Sequence, residues 1–245
     1  NQDISTWNTA NVTNMGGMFW LATSFNQPLD SWNVSNVTNM TVMFGGANSF
    51  NQPLGSWDVS SVTNMGAMFV DNTAFNQPLN NWDVSNVGVF ANFLGGTFAG
   101  SVYNQPLDNW DVSSATNMEG MFGTSTFFSL TSSFNQDIST WDVSSVTNMV
   151  SMFEGNSVFD QDISGWCVSG IGSEPTDFDT STSASWTDPE KPCWGECGCP
   201  IGPICTVPFT TSGKDCTGTE LASSSAPGDT GSEADCAAFC EGVTG

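Results

Sequence analysis

Apolar and polar residues along the first 170 positions follow a pattern that returns about every 25 residues. One unit reads Phe50-Asn-Gln-Pro-Leu54-Gly-Ser-Trp57-Asp-Val59-Ser-Ser-Val62-Thr-Asn-Met65-Gly-Ala-Met68-Phe69. Leu54, Trp57 and Val59 keep a Leu-x-x-Leu-x-Leu spacing. Trp57 and Val59 flank an outward Asp58 with the two-residue period of a strand. Met65, Met68 and Phe69 stand at i, i+3 and i+4, the stripe of a short helix, with Thr63 placed as its N-cap. Each unit is therefore predicted to be a short strand, a turn, a short helix and a return loop.

The unit recurs. Asn26-Gln-Pro-Leu29 returns at Asn51–Leu54, Asn76–Leu79 and Asn104–Leu107, and as Asn1-Gln-Asp-Ile4, Asn135-Gln-Asp-Ile138 and Asp160-Gln-Asp-Ile163. Each copy is followed by a tryptophan: Trp7, Trp32, Trp57, Trp82, Trp110, Trp141 and Trp166, spaced 25, 25, 25, 28, 31 and 25 residues apart. A period in this range predicts a repeat solenoid of about seven coils, leucine-rich-repeat-like, with parallel strands and one short helix per coil. The helical stripe recurs as Met15/Met18/Phe19, Met40/Met43/Phe44, Met118/Met121/Phe122 and Met149/Met152/Phe153. In the fourth unit it becomes Phe90/Phe93/Leu94, an exchange of apolar for apolar that marks a packing role. Regular spacing places the methionines and tryptophans in an internal core rather than on a ligand platform.

The phrase FNQPLxxWDVSNVTNMxxMF resembles the 25–26-residue surface-protein repeat described in mycoplasmas, other bacteria and protists, a family grouped with the BspA-like leucine-rich repeats. The resemblance covers about residues 1–170. It implies a right-handed leucine-rich-type solenoid, a surface location, a role in adhesion or cell contact, and no catalysis. Two extra stretches, around Thr97–Val102 and Thr124–Ser132, depart from the repeat and are expected as spacers on one flank.

Composition narrows the function. The formal net charge is −23, with Lys191 and Lys214 as the two cations and no histidine. Without a cationic surface to release counterions, nucleic-acid binding is excluded and anionic membranes are disfavoured. No apolar run is long enough to span a membrane and no basic-plus-apolar leader is found; the start on Asn without Met suggests a processed or trimmed chain. Charged residues make up 11%, so the surface is expected to be mainly Asn, Ser, Thr and Asp.

Seven of the eight cysteines, Cys193, Cys197, Cys199, Cys205, Cys216, Cys236 and Cys240, crowd into the last 53 residues. Such density predicts disulfides and an extracellular setting. Zinc at Cys193–Cys205 is the competing reading, weakened by the absence of histidine. The chain thus divides into a repeat solenoid over 1–170 and a cysteine-rich cap or tail over 171–245. Cys167 stands where earlier coils carry an outward Asp, and is expected to bond a tail cysteine and staple the cap over the last coil. The stripe is absent after residue 168, so the solenoid is expected to stop there. The first coil is expected to lack a cap, which points to self-association through the solenoid ends, head-to-tail into a filament or coat.

Equivalent positions in stacked coils lie about 4.8 Å apart. The position after each Trp then forms a ladder, Asn8, Asn33, Asp58, Asp83, Asp111, Asp142 and Cys167. Adjacent carboxylates at that distance repel by about 0.9 kcal/mol in water, and a bridging Ca²⁺ held by Asp58, Asp83, Asp111 and Asp142 would reverse this. A solvated acidic face is the plainer reading. Asp160 and Asp162 form a second calcium candidate. The stacked Asn26, Asn51, Asn76, Asn104 and Asn135 are assigned to satisfy backbone groups. Asn11, Asn33, Asn36 and Asn39 begin Asn-x-Ser/Thr sequons, and Asn33 is the most outward of them. With no histidine, no arginine, no nucleophile motif and no phosphate-cradling loop, the chain is not expected to be an enzyme. The expected function is that of an extracellular structural or adhesive surface protein. The alternative is a module that binds Ca²⁺, glycan or a partner protein on its Asp/Asn face, with no other cofactor expected.

Overall fold

The computed structural model describes residues 2–96, 100–124 and 131–197. Two compact units divide the chain, Asn1–Cys199 and Pro200–Gly245, and the second lies outside the described residues. The segment following residue 170, expected to part from the repeats, belongs to the first unit up to Cys199.

Successive repeats lie side by side in register. Parallel bridges join Asn14 to Asn39, Asn39 to Asn64, Asn64 to Val89, Val89 to Asn117 and Asn117 to Asn148. From each bridge onward, alternate amides donate to the next repeat. Met40 bonds the Asn64 carbonyl at 2.9 Å, Val42 that of Gly66 at 2.9 Å, Phe44 that of Met68 at 2.8 Å and Gly46 that of Val70 at 2.8 Å. The amides between them close turns within the repeat, as from Met68 to the Met65 carbonyl at 3.1 Å and from Asn72 to that of Phe69 at 3.0 Å. Every second main-chain donor thus points along the stack, and the others are satisfied locally.

This arrangement replaces the expected strand and helix. Among the described residues, the one helix is a 3-10 turn at Asp188–Glu190, and the repeats pair through isolated bridges. The Met-x-x-Met-Phe segment is a run of β-turns whose third residue is left-handed, at Gly17, Val42, Ala67, Asn92, Gly120 and Ser151. One left-handed residue every four or so ends any helix, yet leaves the i, i+3, i+4 side chains facing inward. Left-handed backbone costs a non-glycine residue about 1–2 kcal/mol, and is rarer still for the β-branched Val42 at φ 58°. The lateral amide bond of the same residue, from Val42 to Gly66, is what offsets that cost. Thr63 caps no helix; its hydroxyl donates to the Thr38 carbonyl at 3.2 Å.

A second left-handed residue follows four positions later at Leu21, Gly46, Asp71 and Gly155. In the two repeats that carry insertions it is absent, and Gly96 bridges Thr124 instead. Beyond the insertions Ser101 bridges Ser132, so both leave and rejoin the stack at matching points. Residues 97–99 and 125–130 within them lie outside the described residues.

The core runs the length of the stack in aromatic columns. Phe25, Phe50, Phe75, Tyr103, Phe134 and Phe159 follow one another at centroid separations of 5.9, 6.0, 6.1, 6.5 and 6.3 Å, all near-parallel. Within a repeat, Phe44 lies 4.0 Å from Phe50 and Phe69 4.0 Å from Phe75. Trp110, Trp141 and Trp166 stack at 6.4 Å. Such pairs add about 0.5–1.5 kcal/mol each beyond their buried area. The methionines line the same interior, with Met18 of the first repeat the exception.

The lateral pattern runs past the last sequence repeat. Ser151, Phe153 and Gly155 donate to the carbonyls of Thr176, Phe178 and Thr180 at 3.0, 2.9 and 2.8 Å, and Asp177 and Ser181 are left-handed. Residues 175–181 therefore form one more rung, although the Met/Phe stripe is gone. What persists is main-chain geometry, which side-chain pattern does not encode. Phe178 and Trp186 are buried over the end of the columns, Trp186 edge-on to Phe159 at 4.9 Å. Cys167 is disulfide-bonded to Cys197, and the two form an antiparallel bridge. Cys193 is disulfide-bonded as well. Cys199, Cys205, Cys216, Cys236 and Cys240 lie outside the described residues.

Candidate functional site

The polar face that follows each tryptophan is built by the alternation of the sequence. Trp57 and Val59 are buried and Asp58 between them is exposed, as are Asp83, Asp111 and Asp142. Each carboxylate turns back onto its own chain. Asp58 Oδ1 accepts from the Ser60 amide at 3.2 Å and the Ser60 hydroxyl at 2.6 Å. Asp83 and Asp111 do the same with Ser85 and Ser113, and Asp142 accepts from the Ser144 amide at 3.0 Å. Asn8 and Asn33 close equivalent turns on Ala10 and Ser35. The ladder is a row of Asx turns.

The electrostatics follow this geometry. Ser60, Ser113 and Ser144 hold the carboxyls of Asp58, Asp111 and Asp142 below the usual aspartate range, through hydroxyl and amide hydrogen bonds. Repulsion from Asp142 acts on Asp111 in the opposite direction and is the smallest contribution there. Local hydrogen bonding outweighs the ladder's like-charge repulsion.

These carboxylates do not assemble a calcium cage. Ca²⁺ takes six to eight oxygens. Each Asp of the ladder has one oxygen committed to its turn, and among the described residues no group of three or more metal-binding side chains converges. Asp160 and Asp162 are also engaged apart, Asp160 by the Asn135 amide group at 2.8 Å and Asp162 by Ser164 at 2.7 Å.

The remaining polar rows bond repeat to repeat. The Oδ1 atoms of Asn26, Asn51, Asn76, Asn104 and Asn135 each accept the main-chain amide of the next residue in the column, at 2.9–3.2 Å. Each also accepts the side-chain amide of the following Gln, as Gln52 to Asn26 at 2.9 Å. Hydroxyls and side-chain amides reach back to carbonyls of the preceding repeat: Asn36 to Ala10, Ser61 to Ser35, Asn86 to Ser60, Thr38 to Thr13 and Thr147 to Thr116. The Trp Nε1 atoms do likewise inside, Trp82 to Leu54 at 2.9 Å and Trp110 to Leu79 at 2.9 Å. Sequence reasoning missed the Ser two residues after Asn33, Asp58, Asp83, Asp111 and Asp142, and the indole donors. The recurring Asx-x-Ser spacing was the available signal for the first.

The sequons sit on this same surface. Asn11, Asn33 and Asn36 are exposed and Asn39 is half-buried. The Asn36 side-chain amide is already spent on Ala10 at 2.8 Å, and Asn39 Oδ1 accepts the amide and hydroxyl of Thr41. Asn33 keeps its amide nitrogen directed away from its turn, since the bond to Ser35 uses Oδ1.

The cap holds the one described cation. Lys191 pairs with Asp179 and lies 5.5 Å from the Trp186 ring centroid. No helix among the described residues is long and apolar enough to cross a membrane.

A family described as "Mycoplasma protein of unknown function, DUF285" matches residues 1–99, 55–130 and 123–184. No curated protein and no solved structure matches the chain.

Proposed function

Because the chain belongs to the DUF285 family, whose three overlapping matches run from residue 1 to 184, we propose that it is an extracellular structural or adhesive surface protein. Its scaffold on this reading is a solenoid related to the BspA-like leucine-rich repeats, with turns in place of the usual strand and helix. The observation that carries the proposal is the use made of the polar side chains. The Asn column, the Ser and Thr rows and the Trp indoles all bond one repeat to the next. A surface committed to its own cohesion suits a rod that presents or spaces other groups. It suits a catalyst poorly, and a calcium- or glycan-binding module no better. The Cys167–Cys197 bond supports an oxidising, extracellular location.

The test is immunolabelling of intact source cells with antibodies raised against the purified chain. Labelling without permeabilisation is expected. Label that appears only after permeabilisation overturns the surface assignment.

A further inference from the structure

The cap brings a lysine, an aspartate and a glutamate together, away from the polar ladder. Lys191 Nζ pairs with Asp179 Oδ2, and the two side chains are 19% and 22% exposed. Asp188 Oδ1 lies farther off, at 3.5 Å, on a side chain that is 95% exposed. The Trp186 ring centroid is 5.5 Å from the ammonium. Phe178, next to Asp179 in the chain, is buried 6.1 Å from that ring. Glu174 is more exposed and reaches the same pair, through a hydrogen bond to Asp179 and the charge of Lys191.

The main chain anchors the two partners separately. Asp179 sits on the last rung, where the carbonyls of Phe178 and Thr180 accept from Phe153 and Gly155. Lys191 ends a strap tied to the last sequence repeat. Trp186 Nε1 donates to the Gln161 carbonyl at 2.9 Å, and the Ile163 amide to the Glu190 carbonyl at 2.8 Å. The Thr187 amide donates to Glu190 Oε2 at 2.7 Å and closes the turn between them. An amine and a carboxyl held in contact in this way react intramolecularly, where effective molarities reach about 10⁵ M or more.

We infer that Lys191 and Asp179 condense into an intramolecular amide, Nζ to Cγ, with Glu174 as the proton carrier. The ammonium first gives a proton to Asp179 Oδ2, leaving a neutral amine and a neutral acid. Burial favours that exchange because it removes two charges. The Nζ lone pair then bonds to Cγ. Glu174 donates its proton to the departing hydroxyl, which leaves as water, and takes one back from nitrogen as the carbonyl re-forms. One C–O bond breaks, one C–N bond forms, and no oxidant or cofactor is needed. Burial and the neighbouring Asp179 charge push the Glu174 carboxyl up and favour its protonated form, against the opposing pull of Lys191. For Lys191, burial acts to lower the pKa and Asp179 and Asp188 outweigh it. The amine is therefore freed by transfer within the pair and not by loss of a proton to water. The bond closes a loop around Trp186, the side chain that covers the end of the aromatic columns. It goes beyond the surface reading and does not depend on it.

The experiment is intact-mass measurement of the purified full chain after complete reduction and denaturation. The wild type is expected to weigh one water less than its sequence requires. Lys191→Arg keeps the charge of the pair without the amine, and is expected at full mass. Glu174→Gln is expected to slow condensation at least about hundredfold, followed as the fraction condensed over time. Chymotrypsin, which cuts after aromatic residues, supplies a measurement that needs no variant. In the reduced wild type the peptides Asp179–Trp186 and Thr187–Trp194 are expected to travel as one branched species. A wild type at full mass, with the two peptides separate, shows an ion pair alone and overturns the proposal. A water lost equally from Lys191→Arg also overturns it, because the loss then lies elsewhere, as in an aspartyl succinimide. Glu174→Gln that condenses at the wild-type rate overturns the role given to the glutamate. Immunolabelling of cells moves none of these results, so the two readings fail separately.

Discussion

The indole Nε1 of Trp57 donates to the carbonyl of Leu29, 28 residues earlier, at 2.9 Å inside the core. The same bond recurs from Trp82 to Leu54, Trp110 to Leu79, Trp141 to Leu107 and Trp166 to Ile138. One residue type therefore fills the interior and gives a second donor to a carbonyl that already accepts an amide within its own repeat, as Leu29 does from Trp32 at 3.0 Å.

Trp82→Phe separates these two roles. The ring still fills most of the column, but the Leu54 carbonyl keeps only the Trp57 amide, at 3.0 Å, and loses its bond to the neighbouring repeat. Stability is expected to fall by about 0.5–1.5 kcal/mol, against about 3–5 kcal/mol for Trp82→Ala, which also opens a cavity. Urea unfolding followed by circular dichroism measures both. A Trp82→Phe variant as stable as the wild type would show that the hydrogen bond contributes nothing.

Asn51 bears on the polar column in the same way. Its Oδ1 accepts the Asn76 amide at 3.0 Å and the Gln77 side chain at 3.1 Å. Asn51→Ala leaves both donors unpaired and is expected to cost about 1–3 kcal/mol. Asn51→Asp keeps the acceptor, in the manner of Asp160 at the end of the column, and is expected to cost clearly less at neutral pH. The comparison is made on unfolding midpoints in denaturant.

Acidification should destabilise the fold through the Asx turns. The carboxyls of Asp3, Asp58, Asp111, Asp137 and Asp142 are held below their usual value by serine hydrogen bonds. A depressed folded pKa contributes stability above the unfolded value, and that contribution is lost as the pH falls through the folded one. The thermal midpoint is therefore expected to be level above about pH 5 and to drop below about pH 4. The combined variant Ser60→Ala, Ser113→Ala and Ser144→Ala should flatten that acid limb. Relief of general charge repulsion acts the other way. An acid limb that rises instead of dropping would show repulsion to be the larger effect.

The Cys167–Cys197 bond closes a segment of 30 residues. Cys167→Ser is expected to cost about 3–4 kcal/mol by the loop-entropy estimate. The loss should appear first as freeing of the cap, where Trp186 covers Phe153 and Phe159. Tryptophan emission that shifts red before the main unfolding transition is the expected signature, with mild reduction of the wild type giving the same shift. A single transition at the unaltered midpoint would show that the cap holds through packing alone.

Much of this was legible in the chain because the same side chains return at one spacing. A residue that is apolar in every copy, such as the Trp, Leu/Ile and Met/Phe positions, must face the place common to all copies, the interior. The Asn column was legible for the same reason, since a polar residue that returns in each copy at one spacing stacks on its equivalents and satisfies a backbone group there. The calcium ladder was not settled by spacing, because which way a carboxylate turns depends on the Ser two residues on.

The sequence alone determined that repeats stack in register and which side chains fill the core, since hydrophobic burial depends on position along the period and little on local backbone. Only the tertiary structure decided that turns take the place of strand and helix. Met65, Met68 and Phe69 face inward under either geometry, and the left-handed residue between them is Gly in two repeats but Val42, Ala67, Asn92 or Ser151 in others. Amide bonds to a neighbouring repeat hold those residues in a conformation that their side chains disfavour. The extra rung at residues 175–181 was hidden for the same reason, because main-chain donors and acceptors are identical in every residue and only a neighbour's position selects which of them pair.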